Sequence, residues 1–129
     1  MTPELTLLAL AGLLQVGQFC LYSVLANLQV PTKVAIGPRD KTMELQGYAA
    51  RAGRAMDNHY SALILFTIAV VIITLSDQST ATTQTAAWVY LIARVLYVPA
   101  YLIGKGPWRS LIWAVGLIAT LAMLLSALI

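Results

Sequence analysis

This sequence has little charge. Of its 129 residues only 8 are Lys or Arg, 5 are Asp or Glu, and one is His. Charged residues make up 10% and hydrophobic ones 60%, against roughly a quarter and about half in soluble globular domains. A water-soluble domain of this length could not bury so much apolar surface in one core. In lipid the same side chains can face outwards, which removes the difficulty. Cysteine is nearly absent as well. The one thiol, Cys20, excludes an intrachain disulfide, and its apolar surroundings make a buried, inert thiol the expectation. The sequence has no internal repeat, and its length suits a single domain over residues 1–129.

The placing of the few charges is more informative than their number. Between Glu4 and Lys33 the only ionisable groups are Cys20 and Tyr22, and beyond Arg109 there are none. A third apolar run lies between Asp57 and Asp77, interrupted only by His59 and Tyr60 near its start. A fourth runs from Thr82 to Ile103 with Arg94 as its single charge. Each approaches the roughly 20 residues that carry a helix across about 30 Å of hydrocarbon. A soluble bundle would carry a polar stripe on every helix, and SLIWAVGLIATLAMLLSALI at the C-terminal end has almost none. The first run lacks a basic leader and is long for a secretory signal core, so it is expected to be a retained helix. The fold class is therefore an all-α membrane protein: a four-helix transmembrane bundle, up-down-up-down, with helices at about 3–28, 46–76, 83–103 and 108–128.

Lys33, Arg39, Lys41, Arg51 and Arg54 lie in or beside the first link, and Lys105 and Arg109 in or beside the third. The second link and both termini hold no Lys or Arg. Positive charge marks cytoplasmic loops, so the first and third links are expected in the cytoplasm and both termini on the opposite side. The net charge of +3 thus reports topology and gives no reason to expect nucleic acid as a partner. Trp88, Tyr90, Trp108 and Trp113 are candidates for the interfacial belts, and His59 for a place near the headgroup boundary.

Polar residues inside spanning helices usually face a bundle interior or a wet cavity. In RAGRAMDNHYSALILF, residues Arg51, Arg54, Asn58 and Ser61 recur at spacings of three, four and three, which align along one helical face. Ala52, Gly53 and Ala55 keep the surrounding surface small enough for close helix approach. Arg51 and Arg54 could equally snorkel to lipid phosphates, and Asp57 could pair with Arg54. In ARVLYVPAYLIGKGPWRS, residues Arg94, Tyr97 and Tyr101 share a face, Pro99 is placed to kink the helix, and Arg109 and Ser110 open the last helix. The unpaired N–H groups of that helix start add positive potential. Such a set suits an anionic, partly apolar ligand, or a polar network that only pins the helices together. No metal is expected.

These two clusters, in this order, resemble the signatures of the MAPEG family, the membrane-associated proteins in eicosanoid and glutathione metabolism. Arg51, Arg54, Ala55 and Asn58 fill the second-helix form Arg-x-x-Arg-Ala-x-x-Asn-x-x-Glu. Ala93, Arg94, Tyr97 and Tyr101 fill the third-helix form Ala-Arg-x-x-Tyr-x-x-x-Tyr, and Arg109 matches an arginine at the start of the last helix. The resemblance implies a homotrimer with glutathione as cofactor, bound in a cytoplasm-facing cleft between subunits. It implies that Arg109 stabilises the thiolate while Arg51, Arg54, Asn58, Arg94, Tyr97, Tyr101 and Ser110 hold the peptide. It also implies a lipophilic small-molecule substrate that enters from the membrane lipids.

One departure bears on that reading. The second-helix form ends in a glutamate that helps bind the amino end of glutathione, and this sequence has Ser61 there. Two functions stand side by side: a glutathione-dependent transferase or peroxidase, and a non-catalytic lipid-binding or scaffold protein of the same fold, since the family includes both kinds. A pore is disfavoured, because the basic groups cluster at one end and leave no polar path through the membrane.

Overall fold

The computed structural model describes residues 1–29, 45–104 and 106–129. It consists of four helices: α1 (Pro3–Gln29), α2 (Gly47–Leu75), α3 (Ala81–Ile103) and α4 (Gly106–Leu128). Each is long and apolar enough to cross a membrane. At 1.5 Å per residue, the 23 residues of α3 or α4 reach roughly 35 Å, slightly more than the hydrocarbon thickness. The chain is an all-α four-helix bundle. Lys33, Arg39, Lys41 and Lys105, which the charge count used, lie outside the described residues.

The helices start and stop for local reasons. Thr80 caps α3 by accepting from the Thr83 N–H at 3.3 Å, and Thr83 Oγ1 accepts in return from the Thr80 N–H at 2.8 Å. This capping box starts α3 two residues before the expected position. At its far end α3 stops at Gly104, which has φ 73 and so takes the left-handed conformation that glycine adopts without steric cost. α4 opens at Gly106, with Pro107 at the next position, where the missing N–H has no intrahelical partner to lose. Pro99 is accommodated inside a continuous α3.

α1 packs chiefly on α2, and α3 on α4. α1 also touches α3, and α2 touches α4, whereas α1 and α4 do not pack together among the described residues. The order around the bundle is therefore α1, α2, α4, α3, and the consecutive helices α2 and α3 meet across a diagonal. Lipid tails are as apolar as leucine, so close packing and hydrogen bonds hold such helices together, not water exclusion. Small residues supply the approach: Ala11, Ala52, Ala55, Ala69 and Ala87 are all fully buried. Gly53 is the tightest point, since a Cβ there would stand 2.8 Å from Cε1 of Tyr22 on α1. The core centres on Phe66 of α2, whose ring stacks on Tyr90 of α3 at 4.0 Å between centroids.

Tyr90 therefore does not join an interfacial belt. It sits midway along α3, 1% exposed, because the ring fills the space between α2 and α3. Cys20 departs from expectation in the other direction, on the exposed outer surface of α1. In a helix apolar on every side, composition does not reveal which residues face the partner helices. His59 is fully buried inside the bundle, where Gln15 of α1 supplies its partner: Gln15 Oε1 lies 2.6 Å from His59 Nδ1. Gln15 Nε2 donates to the Met56 carbonyl at 3.2 Å, which fixes Oε1 as the acceptor and places the imidazole proton on Nδ1.

Hydrogen bonds also mark the two ends of the bundle. At one, Gln29 pairs with the backbone of Gln46 in both directions, at 2.6 and 2.9 Å, and Arg51 donates to the Leu102 carbonyl at 3.1 Å. At the other, buried Glu4 accepts from Ser79 at 2.9 Å and from Thr83 at 3.3 Å.

Candidate functional site

The first end of the bundle carries the arginines. α2 enters with Arg51 and Arg54, α3 leaves with Tyr97 and Tyr101, and α4 enters with Arg109 and Ser110, so the up-down-up-down path brings three helix termini together. A groove of about 240 Å³ lies between them, lined by Arg54, Asn58, Tyr97, Tyr101, Arg109, Ser110 and Trp113. Six of the eight residues singled out from the sequence line this one feature.

Tyr101 organises the groove. Its hydroxyl accepts from Arg54 Nε at 3.1 Å, and the Arg109 guanidinium lies over its ring face, 4.8 Å from the centroid. One phenol thus orients two cations, one through its oxygen and one through its π-face. The Nε of Arg54 is committed, but its terminal nitrogens keep the planar fork that matches a carboxylate. Arg54 turns to Tyr101 and not to Asp57, which is exposed and does not line the groove. Tyr97 packs tilted against Tyr101 at 5.6 Å. Asn58 is half-buried, and its Oδ1 has no hydrogen-bond partner among the described residues.

The other two residues stand apart from the groove. Arg51 reaches across to the end of α3, where it donates to the Leu102 carbonyl and lies against Gly104. A Cβ at Gly104 would come within 3.1 Å of the Arg51 Cζ, so the glycine that ends α3 also makes room for this clamp. Arg94 lies deeper, 2% exposed, with its guanidinium over the Tyr97 ring at 4.3 Å. It lines a second cavity of about 180 Å³ together with Tyr90, Ser61 and Leu65, and that cavity shares Asn58 and Trp113 with the groove. Ser61 is exposed at its edge.

Sequence reasoning missed two lining residues. Tyr90 continues the face of Arg94, Tyr97 and Tyr101 one turn further along α3, and Trp113 stands one turn beyond Arg109. Extending each helical face by four residues would have found both.

Four membrane-crossing helices with a cationic, tyrosine-lined groove at one end define a small multi-pass integral membrane protein. A family model described as the MAPEG family matches residues 7–129, essentially the whole chain, and the protein belongs to that family. No curated protein and no solved structure matches it.

Proposed function

We propose that this protein binds glutathione or a related thiol peptide in the groove and uses it to conjugate or reduce lipophilic electrophiles. One observation carries the reading: Arg54, Asn58, Tyr97, Tyr101, Arg109 and Ser110, drawn from three helices, converge on one groove. Glutathione has two carboxylates, an ammonium, two peptide groups and a thiol. The arginines Arg54 and Arg109 suit the carboxylates and the thiolate. The unpartnered Asn58 Oδ1 suits a peptide N–H, and the hydroxyls of Tyr97, Tyr101 and Ser110 suit the remaining acceptors. The ammonium alone lacks a complement, because Ser61 stands where the family carries a glutamate.

When bound, glutathione supplies a thiol of ordinary pKa about 8.5, which attacks electrophiles as the thiolate. The chain's own part is electrostatic and positional. Arg109 holds positive charge where the sulfur ionises, and its stacking on Tyr101 fixes that charge in place. Arg54 and Asn58 hold the peptide in register, and the adjoining cavity, lined in part by Ala62, Leu65 and Leu117, suits a lipophilic substrate.

The assembly in this reading is a homotrimer in contact with membrane lipids, with neighbouring subunits completing the cleft. Arg51, Arg54 and Arg109 mark the groove end, and the opposite end carries no Lys or Arg. The positive-inside rule puts the groove in the cytoplasm, where glutathione is abundant, and the termini across the membrane.

A second reading, a non-catalytic lipid-binding or scaffold protein, is favoured by Ser61 and by the exposed position of Asp57. Calorimetric titration of glutathione into detergent-purified protein, beside an Arg109→Ala variant, separates the two. Binding that weakens in the variant supports the thiol reading, and no heat at millimolar glutathione removes it.

A further inference from the structure

Arg54 and Arg109 line the groove, but Arg51, at the same end of the bundle, does not. Its Nη1 reaches from the start of α2 to the end of α3 and donates to the Leu102 carbonyl at 3.1 Å. It acts there on the weakest stretch of α3. Pro99 has no N–H to give the Val95 carbonyl, so the hydrogen-bond ladder is interrupted one turn before the helix ends. The last carbonyls of any helix lack intrahelical donors. Here the Gly104 N–H satisfies the Ala100 carbonyl at 3.3 Å, and Arg51 satisfies that of Leu102. The helix dipole favours a cation at this C-terminus. The same terminal turn carries Tyr101, the neighbour of Leu102 in sequence. Tyr101 in turn orients Arg54, whose Nε donates to its hydroxyl at 3.1 Å, and Arg109, whose guanidinium lies 4.8 Å from its ring centroid.

We propose that Arg51 is a positioning residue for the groove: it clamps the last turn of α3, and through Tyr101 on that turn it holds Arg54 and Arg109 in place. The inference rests on the thiol reading and adds to that site a residue that acts without touching the peptide. It departs from the role that family likeness implies for Arg51, that of holding the peptide directly. The order of action is Arg51, the Leu102 carbonyl, Tyr101, then the two groove cations. Without the clamp, the turn beyond Pro99 keeps the Gly104–Ala100 bond and loses its tie to α2. Tyr101 then moves with the turn, and Arg109 loses the fixed ring face that keeps its charge beside the sulfur.

One arm of the test needs no thiol. Hydrogen exchange is followed by mass spectrometry on the protein in lipid nanodiscs, in the segment that contains Tyr101 and Gly104. Arg51→Met, which has no charge and no donor, should speed exchange there. Arg51→Lys, which keeps one donor for one carbonyl, should restore most of the protection. Unchanged exchange in Arg51→Met overturns the proposal. The second arm is the pH–rate profile of glutathione conjugation. An adjacent opposite charge depresses the pKa of an anion-forming group by about 1–3, and a loosened Arg109 forfeits part of that. Arg51→Met should therefore move the profile up by about 1, which lowers the rate well below its midpoint about tenfold. In a Tyr101→Leu background the same substitution should move the profile no further, because the link through which Arg51 acts is gone. An equal shift in both backgrounds means that Arg51 acts on the ligand itself, and it overturns the proposal, as does a profile unmoved by Arg51→Met. Absence of glutathione binding refutes the thiol reading, and the exchange arm still decides the clamp.

Discussion

Replacing Ser61 by glutamate should strengthen glutathione binding about tenfold, by restoring the acid that the groove lacks. Ser61 lies one turn beyond Asn58 on the same face of α2, and is exposed at the edge of the cavity that adjoins the groove. A longer side chain there has room. A hydrogen bond involving a charged group contributes about 1.5–3 kcal/mol, and about 1.4 kcal/mol is tenfold in affinity, so the range is roughly tenfold to a hundredfold. Exposure of Ser61 argues for the lower end, since solvent screens the new charge. A competing pull comes from Arg94, which lines the same cavity with an unpartnered Nε and would draw the introduced carboxylate inward. Calorimetry of three pairs resolves the contributions: the variant with glutathione, the variant with N-acetylglutathione, and Ser61→Gln with glutathione. The gain should vanish with the acetylated peptide, which has no ammonium, and should be small in Ser61→Gln. An equal gain with both peptides, or no gain with either, would refute the assignment of Ser61 to the amino end of the ligand.

Removing the cation in Arg109→Ala should shift the pH–rate profile of conjugation to higher pH, because the bound thiol returns towards its ordinary ionisation near about 8.5. An unchanged profile would exclude Arg109 as the thiolate's partner. Phe66→Ala empties the fully buried position stacked on Tyr90 and should cost about 3–5 kcal/mol, seen as a lowered Tm in detergent. A Tm within error of the unaltered protein would contradict the packing of α2 on α3. Gln15→Leu leaves the His59 Nδ1–H without its acceptor, at a cost of about 1–3 kcal/mol. Adding His59→Leu to that variant should cost less than the two single losses summed, and strict additivity in a thermal-denaturation cycle would show that the pair does not act together.

The four helices were legible because lipid selects so strongly against charge: the uncharged stretches from Glu4 to Lys33, from Asp57 to Asp77 and beyond Arg109, and the stretch from Asp77 to Lys105 with Arg94 as its single charge, outline them almost unaided. Their ends depended on finer chemistry, such as the reciprocal Thr80–Thr83 cap, which two adjacent threonines at positions 82 and 83 disguised. The groove was legible to the extent that helical spacing determines a face. Arg54 and Asn58 on α2, and Tyr97 and Tyr101 on α3, emerged from intervals of three and four. Spacing did not say how far a long side chain reaches, so Arg51 could be placed on the same face and still turn away to the Leu102 carbonyl. Burial was the least legible property. In soluble helices polarity separates inside from outside, but here Cys20 and Ala11 sit in equally apolar neighbourhoods and only one is buried. The internal partners of His59 and Glu4 were hidden for a related reason. Gln15, Ser79 and Thr83 are far from them in sequence and carry no charge to advertise the contact.

A structure of the protein in lipid nanodiscs with millimolar glutathione tests the central claim most directly. The account predicts three subunits, each with tripeptide density touching Arg54, Asn58, Tyr97, Tyr101 and Arg109, and with the sulfur nearest Arg109. A groove without the peptide, or one filled by a lipid acyl chain, would contradict it.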